Sequence, residues 1–295
     1  MTLEQLRIFV AVAEREHMTR AAADLHLTQS ATSAAIAALE ARYDTKLFDR
    51  IGRRIELTAA GRLFLDEARA VLARAAAAEA LLTDLSGLKR GALSLAASQT
   101  VANYWLPPLL HEFQSRYPGV TLSLRIGNSQ QVAGWVREAS ADIGVIEGSI
   151  DDPLLHSSIV ADDDLVLCVA PHHPWATIRS VTAEMVKATP WVVREAGSGT
   201  RAVLDEWLPS LGLTAADLTI ALTLPSNESV RSAVAAGAGA TVISRVVVEA
   251  RLRAGSLIAI EAALPKRHFY ALRHKERHVT RARQAFDKLL DVSLG

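Results

Sequence analysis

The chain has 295 residues, too long for one typical domain and suited to a small module plus a larger one that can itself be split. Lysine plus arginine and aspartate plus glutamate balance at 32 each, so net charge gives no sign of a nucleic-acid or membrane partner, and any basic patch must be local. A single cysteine, Cys168, excludes an internal disulfide and points to a reducing interior. No charged leader with an apolar core opens the chain and no run is long enough to span a bilayer, so a cytoplasmic location is expected.

Residues 18–61, MTRAAADLHLTQSATSAAIAALEARYDTKLFDRIGRRIELTAAG, read as two short helices, a tight turn, a basic hairpin and the start of a third helix. That is the order of a winged helix-turn-helix. Ala21, Ala22, Leu25 and Leu27 mark one apolar face, and Ile36, Leu39 and Tyr43 mark another. Thr19 and Thr28 stand where side-chain oxygens cap the two N-termini. Away from Ile36 and Leu39, the second helix presents Gln29, Ser30, Ser33, Ala34 and Ala37, a small, mildly polar face that can lie deep in a major groove. Arg50, Arg53 and Arg54 flank Gly52 in the hairpin and can reach a phosphate backbone or a minor groove. On periodicity alone, an Ala-rich helical core with a solvated basic turn is an equal reading.

From Thr58 a heptad-like stripe follows: Phe64, Ala68, Val71, Ala75, Ala78, Leu82 and Leu85, spaced alternately four and three. It predicts one long helix that either packs on its own domain or pairs with its copy; a module this small cannot cover so long a stripe.

After residues 86–90 the pattern changes to short apolar runs alternating with amphipathic helices. ALSLAAS, a helix over 103–117, VTLSLRIG, a helix over 129–139 and ADIGVIEG form one set. DDLVLCVAP, WVVREAG, a helix over 200–211, LTIALTLPS, a helix over 230–236 and ATVISR form a second, and HFYALRH with a helix over 279–290 closes the chain. The alternation predicts βαβ units in a mostly parallel sheet. Cys168 falls in the apolar run LVLCVA, where a buried strand residue is expected and a redox sensor is the lesser reading. Small polar residues follow several strands: Ser98-Gln99-Thr100, Gly127-Asn128-Ser129, Glu147-Gly148, Gly197-Ser198-Gly199-Thr200 and Ser226-Asn227-Glu228. Each group alone is an ordinary turn or cap. Together they describe a pocket of donors beyond the strand ends, suited to a carboxylate, a phosphorylated metabolite or an inorganic oxyanion. Arg194 and Arg201 can add charge there or pair with Glu195 and Glu206.

The opening LEQLRIFVAVAE, the stretch AAADLHLTQSATSAAIAALEARYDTKLFDR and the RRIELTAAG that follows closely resemble the N-terminal domain of the LysR-type transcriptional regulators. AASQT, GNSQQV, IGVIEG, REAGSGTR and SNESVRSAVAAGAGATVIS further resemble the branch containing the Calvin-cycle and sulfur-metabolism regulators. Where many members carry long polar residues this chain has Ala34, Ala35 and Ala37, so base readout falls to Gln29, Ser30, Ser33, the wing and DNA shape. The resemblance implies an α/β protein overall. It would comprise an all-α winged helix-turn-helix at 1–58, a linker and dimerisation helix at 59–88, and an effector domain at 91–295 of the two-lobed, type 2 periplasmic-binding-protein kind. Lobe 1 would take about 91–161 and 267–295 and lobe 2 about 162–266, with crossings at 161–163 and 264–267. It also implies DNA contacts through Thr28, Gln29, Ser30, Ser33 and the three wing arginines, and an anionic effector held by Ser98, Thr100, Asn128, Glu147, Ser198, Thr200 and Asn227. The implied partners are double-stranded DNA with an interrupted palindrome, a second copy through the linker helix and then a tetramer, the small anion, and RNA polymerase; no cofactor, metal or membrane is expected.

Enzyme readings fare poorly. GSGTR lacks the GxxxxGK[ST] phosphate loop, His172-His173 in PHHPW has no acidic or cysteine partner spaced for a metal, and the run Asp162-Asp163-Asp164 before a strand is expected to be solvated. The expected function is a ligand-responsive, sequence-specific DNA-binding regulator. A ligand-free architectural DNA binder and an enzyme fused to a DNA module are the alternatives.

Overall fold

A computed structural model of the protein describes residues 1–51, 54–84, 91–178 and 180–292. They form two compact units, the first built on Met1–Thr83 and the second on Asp84–Arg137 with Ala141–Gly295.

The first unit opens with α1 (Leu3–Arg15), whose start is fixed by a reciprocal capping box between Thr2 and Gln5. Next comes α2 (Met18–Asp24). It begins one residue before Thr19, so the expected cap is corrected: Thr19 is helical and the His17 ring accepts the Arg20 amide instead. Thr28 does cap α3 (Gln29–Tyr43), its hydroxyl accepting from the Ala31 amide at 3.2 Å. A hairpin of β1 (Phe48–Ile51) and β2 (Arg54–Leu57) then leads into α4 (Ala59–Asp84). The core gathers Leu6, Phe9, Val12, Ala21, Ile36 and Leu39, with Phe9 stacked at 5.4 Å on Phe48 and 4.9 Å on Phe64. Tyr43, expected on the apolar face of α3, is 53 % exposed because the helix runs past the core there.

The α4 stripe also needs correction. Phe64 and Ala68 pack into the core of their own unit together with Leu65 and Leu72, while Leu63 is 75 % and Val71 42 % exposed. The side chain of Leu82 and the whole of Leu85 lie outside the described residues. Close approach sets the helix in place: a Cβ on Gly61 would come within 2.1 Å of the Leu47 carbonyl oxygen, so only glycine lets the first turn of α4 sit against the loop before the hairpin.

The second unit has two lobes. In chain order come β3 (Gly91–Ser98), α5 (Leu106–Arg116), β4 (Val120–Gly127), α6 (Ser129–Arg137), β5 (Ile143–Glu147) and β6 (Leu155–Asp163), followed by β7 (Leu165–Val169), α7 (Ala183–Ala188) and β8 (Pro190–Arg194). Then follow α8 (Gly199–Trp207), β9 (Thr219–Leu224), α9 (Asn227–Ala235), β10 (Thr241–Ser244), α10 (Arg245–Arg253), β11 (Ile258–Ile260), β12 (Arg267–His274) and α11 (Arg281–Val292). The first sheet has the order β4-β3-β5-β12-β6; the second lobe holds β10-β7-β11 and β8-β9, joined by a bridge between Trp191 and Ala240.

The sheets are mixed rather than mostly parallel. β3 runs parallel to β4 and β5, and β8 to β9, but β12 is antiparallel to both β5 and β6, and β7 to both β10 and β11. Strands that enter a lobe from its neighbour arrive without a crossover helix, so nothing requires them to run parallel. Apolar residues fill both faces of each sheet. The helix expected over 103–117 opens with a π-helical turn at Val101–Trp105, and β6, α7, α10 and β11 were not anticipated.

Candidate functional site

In the first unit the exposed side of α3 carries Gln29, Ser30, Ala34 and Ala37, with Ser33 half-buried. Thr28 is occupied locally, capping α3 and sharing a 3.0 Å hydrogen bond with the Ser30 hydroxyl. Beneath them Thr32 is fully buried and donates to the Thr28 carbonyl at 3.1 Å. The backbones of Arg50 and Arg54 flank the hairpin turn in register with Ile55 and Ile51; Arg53 lies outside the described residues. One anchor was missed by sequence reasoning. Glu40 is buried, and its carboxylate accepts the Leu47 and Phe48 amides at 2.9 and 3.2 Å and Lys46 at 2.7 Å. Burial opposes its charge, but Lys46 and the two amides outweigh that and hold the carboxyl below its ordinary range. Glu40 therefore ties the end of α3 to the root of the wing.

In the second unit a cleft of about 980 Å³ opens between the lobes, lined by Ser129, Glu147, Gly148, Ser198, Lys266 and Arg267 among others. Of the seven expected effector residues, Glu147 and Ser198 line it. Most of the rest lie in a hydrogen-bonded string that joins the lobes. Glu147 Oε1 accepts the Thr100 amide at 3.2 Å, and the Thr100 hydroxyl accepts from Asn227 at 2.9 Å. Arg194, 2 % exposed, donates to Asn227 at 2.5 Å and forks onto Glu195 at 2.8 and 2.9 Å. Glu195 in turn accepts from Asn128 at 3.3 Å. Burial works against the charge on Glu195, but Arg194 holds its carboxyl below the ordinary value. Thr200 stands apart from the string, accepting from Arg267 at 3.3 Å while its amide donates to the Ser198 hydroxyl. Ser98, at the end of β3, is buried with no hydrogen-bond partner for its hydroxyl among the described residues. Arg201, the other arginine considered, pairs with Asp205 rather than Glu206.

Gln99 makes a second tie between the lobes, accepting the Asn227 amide at 3.0 Å and donating to the Pro225 carbonyl at 2.8 Å. Close approach recurs here. A Cβ on Gly199 would lie 2.4 Å from the Glu147 carbonyl oxygen, so the first turn of α8 presses directly on the end of β5.

The aspartate run is not uniformly solvated. Asp162 and Asp164 are exposed, but Asp163 is buried and ion-paired with the equally buried Arg267 and accepts the Ser244 hydroxyl at 2.6 Å. Arg267, immediately before the run HFYALRH and set against an aspartate run at the other crossing, was the signal that could have found this pair. Cys168 is fully buried in β7, and burial pushes its thiol up to about 12, which disfavours the thiolate. His173 caps the short 3₁₀ turn at Pro174–Thr177. Among the described residues no group of three or more histidine, cysteine or acidic side chains is placed to hold a metal, and no helix is long and apolar enough to cross a membrane.

Comparison with known proteins gives two matches to family profiles. Residues 3–62 match the bacterial regulatory helix-turn-helix protein, lysR family, and residues 86–292 match the LysR substrate binding domain. The chain is 36% identical over 288 residues to the HTH-type transcriptional regulator YeiE of Escherichia coli K12, covering 97% of this chain and 96% of that one. It is 31% identical to the RuBisCO operon transcriptional regulator of Allochromatium vinosum, covering 97% and 94%. The regulatory domain of Synechocystis PCC6803 CcmR in complex with 2-PG superposes with a TM-score of 0.62 at 26% identity, over 69% of this chain and 98% of that one.

Proposed function

The chain belongs to the LysR family of DNA-binding transcriptional regulators, and from that premise we propose that a small anion held in the interlobe cleft controls its binding to an interrupted palindrome. The observation that carries the DNA half is the exposed face of α3, where Gln29, Ser30 and Ser33 stand beside small alanines on a helix whose N-terminus Thr28 caps. An amide and hydroxyls on so slim a helix reach base edges, and Arg50, Arg53 and Arg54 reach phosphates.

The effector half rests on the string from Glu147 to Asn128, which makes the lobe arrangement sensitive to whatever hydrogen-bonds within it. An effector need only bind one arrangement better than another to shift the population. Ser98, Thr100, Asn128, Glu147, Ser198, Thr200 and Asn227 are the groups assigned to it. Dimerisation through α4, and a tetramer built from two such dimers, would present two recognition helices to two half-sites. The chain acts through DNA and RNA polymerase rather than as an enzyme, needs no cofactor, and does this work in the cytoplasm.

The test is a fluorescence-anisotropy titration of the full chain against the intergenic DNA beside its own gene and against scrambled DNA at physiological salt. Specific binding should exceed non-specific by about 1,000-fold or more, and Gln29→Ala should erode that ratio about tenfold or more. Equal affinity for both DNAs sinks the reading.

A further inference from the structure

The charges of the cleft are unevenly matched. Every arginine along it already has an acidic partner: Arg194 with Glu195, Arg201 with Asp205 and Arg267 with Asp163. Lys266, exposed on the lining, makes no ion pair among the described residues. Opposite in sign are Asp151 and Glu206, both exposed, and the buried Glu147. Glu147 is 3 % exposed, lines the cleft, accepts one hydrogen bond from the Thr100 amide, and has no cation within ion-pair range among the described residues. The first turn of α8 abuts its backbone, and the Ser198 hydroxyl, which accepts from the Thr200 amide, keeps its own proton to donate.

These groups ask different things of a ligand. The N-terminus of α8, the Ser198 hydroxyl and Lys266 favour a negative group. A carboxylate accepts hydrogen bonds and donates none. An oxyanion that has lost every proton would set its charge against that of Glu147 with nothing between them, whereas one that keeps a proton can donate it to the carboxylate. An ammonium ligand would satisfy Glu147 but leave Lys266 and the helix terminus facing a like charge.

Resting on the anionic-effector reading above, we infer that the cleft selects oxyanions that carry a proton at neutral pH, and that Glu147 is the selecting residue. Specificity then comes from an element repelling the wrong ligand as much as from attraction to the right one.

Isosteric tetrahedral anions make the test. Calorimetric titrations of the full chain at pH 7 and constant ionic strength would compare phosphate and arsenate, which keep a proton, with sulfate and selenate, which do not. Phosphate should bind at least about 100-fold tighter than sulfate, since a site built around one hydrogen bond rejects the analogue lacking it. Glu147→Gln should bring the two within about tenfold, and Lys266→Ala should weaken both alike. If all four anions bind the wild-type chain equally, this inference falls while the anionic-effector reading stands. If none binds, the anionic-effector reading falls and takes this one with it. Glu147-dependent binding of methylammonium in place of the oxyanions would overturn both, as a cationic ligand.

Discussion

Two buried carboxylates show how much a single side chain can hold. Glu40 receives two amides on Oε1 and Lys46 on Oε2, so a glutamine keeps one neutral acceptor for the amides but strips Lys46 of its partner and weakens the bonds that remain. Glu40→Gln should cost about 1–3 kcal/mol, read as faster hydrogen exchange at the Leu47 and Phe48 amides. The sign with pH is fixed: its folded carboxyl lies below the ordinary value, so its contribution is complete above the ordinary carboxylate range and disappears as pH falls through the folded value. The gap between variant and wild type should therefore close in acid; a gap that widens would refute the assignment. Asp163 and Arg267 are each 1 % exposed at the side chain, and breaking such a pair from one side leaves a buried charge alone. Asp163→Asn should destabilise the second unit by about 3–5 kcal/mol in urea melts, while replacing both residues with apolar ones of like size should recover most of that loss.

Among the elements α4 is the one whose two faces answer different needs. Phe64, Leu65, Ala68 and Leu72 seal the core of their own unit, which leaves Leu63 and Val71 exposed. The dimer seam proposed for this helix would then include Leu63 and Val71. Leu63→Glu should shift the chain toward monomer by light scattering with its melting temperature little changed, whereas Phe64→Ala should lower the melting temperature; the reverse pattern would restore the seam read from the sequence. At Phe64 and Ala68 the heptad count met the domain's own core, because a spacing of three and four marks any apolar stripe, whether it meets its own domain or a copy. Caps were more legible: Thr28 lies where a hydroxyl before a helical run should, and Thr19 failed because the cap, His17, stands two residues earlier. β6 stayed hidden since an edge strand with sequence LHSSIVADD buries few of its residues, and the antiparallel partners of β7 and β12 join residues too distant in the chain for local pattern to show. The cleft was half legible. Small polar residues after strands pointed to Glu147 and Ser198, but the ties through Gln99, Arg194 and Glu195 depend on which loops face each other across the two lobes.

Among the contacts that hold the lobes of the second unit are the string from Glu147 to Asn128, the Gln99 tie, the Tyr104 hydroxyl on Glu228, the Gln130 amide on the Gly197 carbonyl, and the paired crossings. The first two are polar and lie at the mouth of the lobes, each bond worth about 0.5–1.5 kcal/mol. Asn128→Ala combined with Gln99→Ala should loosen the mouth without unfolding either lobe, seen as an increased radius of gyration in small-angle scattering with melting unchanged to within a few degrees; an unchanged radius would mean that the Thr100–Asn227 and Tyr104–Glu228 bonds and the crossings suffice to set the arrangement. Those crossings are neighbours. β6 and β12 pair antiparallel from Arg267 with Asp163 to His274 with Leu155, with a register shift between Phe269 and Tyr270, and the ladder ends at the buried ion pair where both chains enter the second lobe. Under the effector control proposed above, such a joint would act as an axle rather than a tether, permitting a turn about one line while resisting sliding and separation. The signal would then be an angle, and substitutions beside the axle would change how far it turns for a given ligand while leaving the ligand's own contacts untouched.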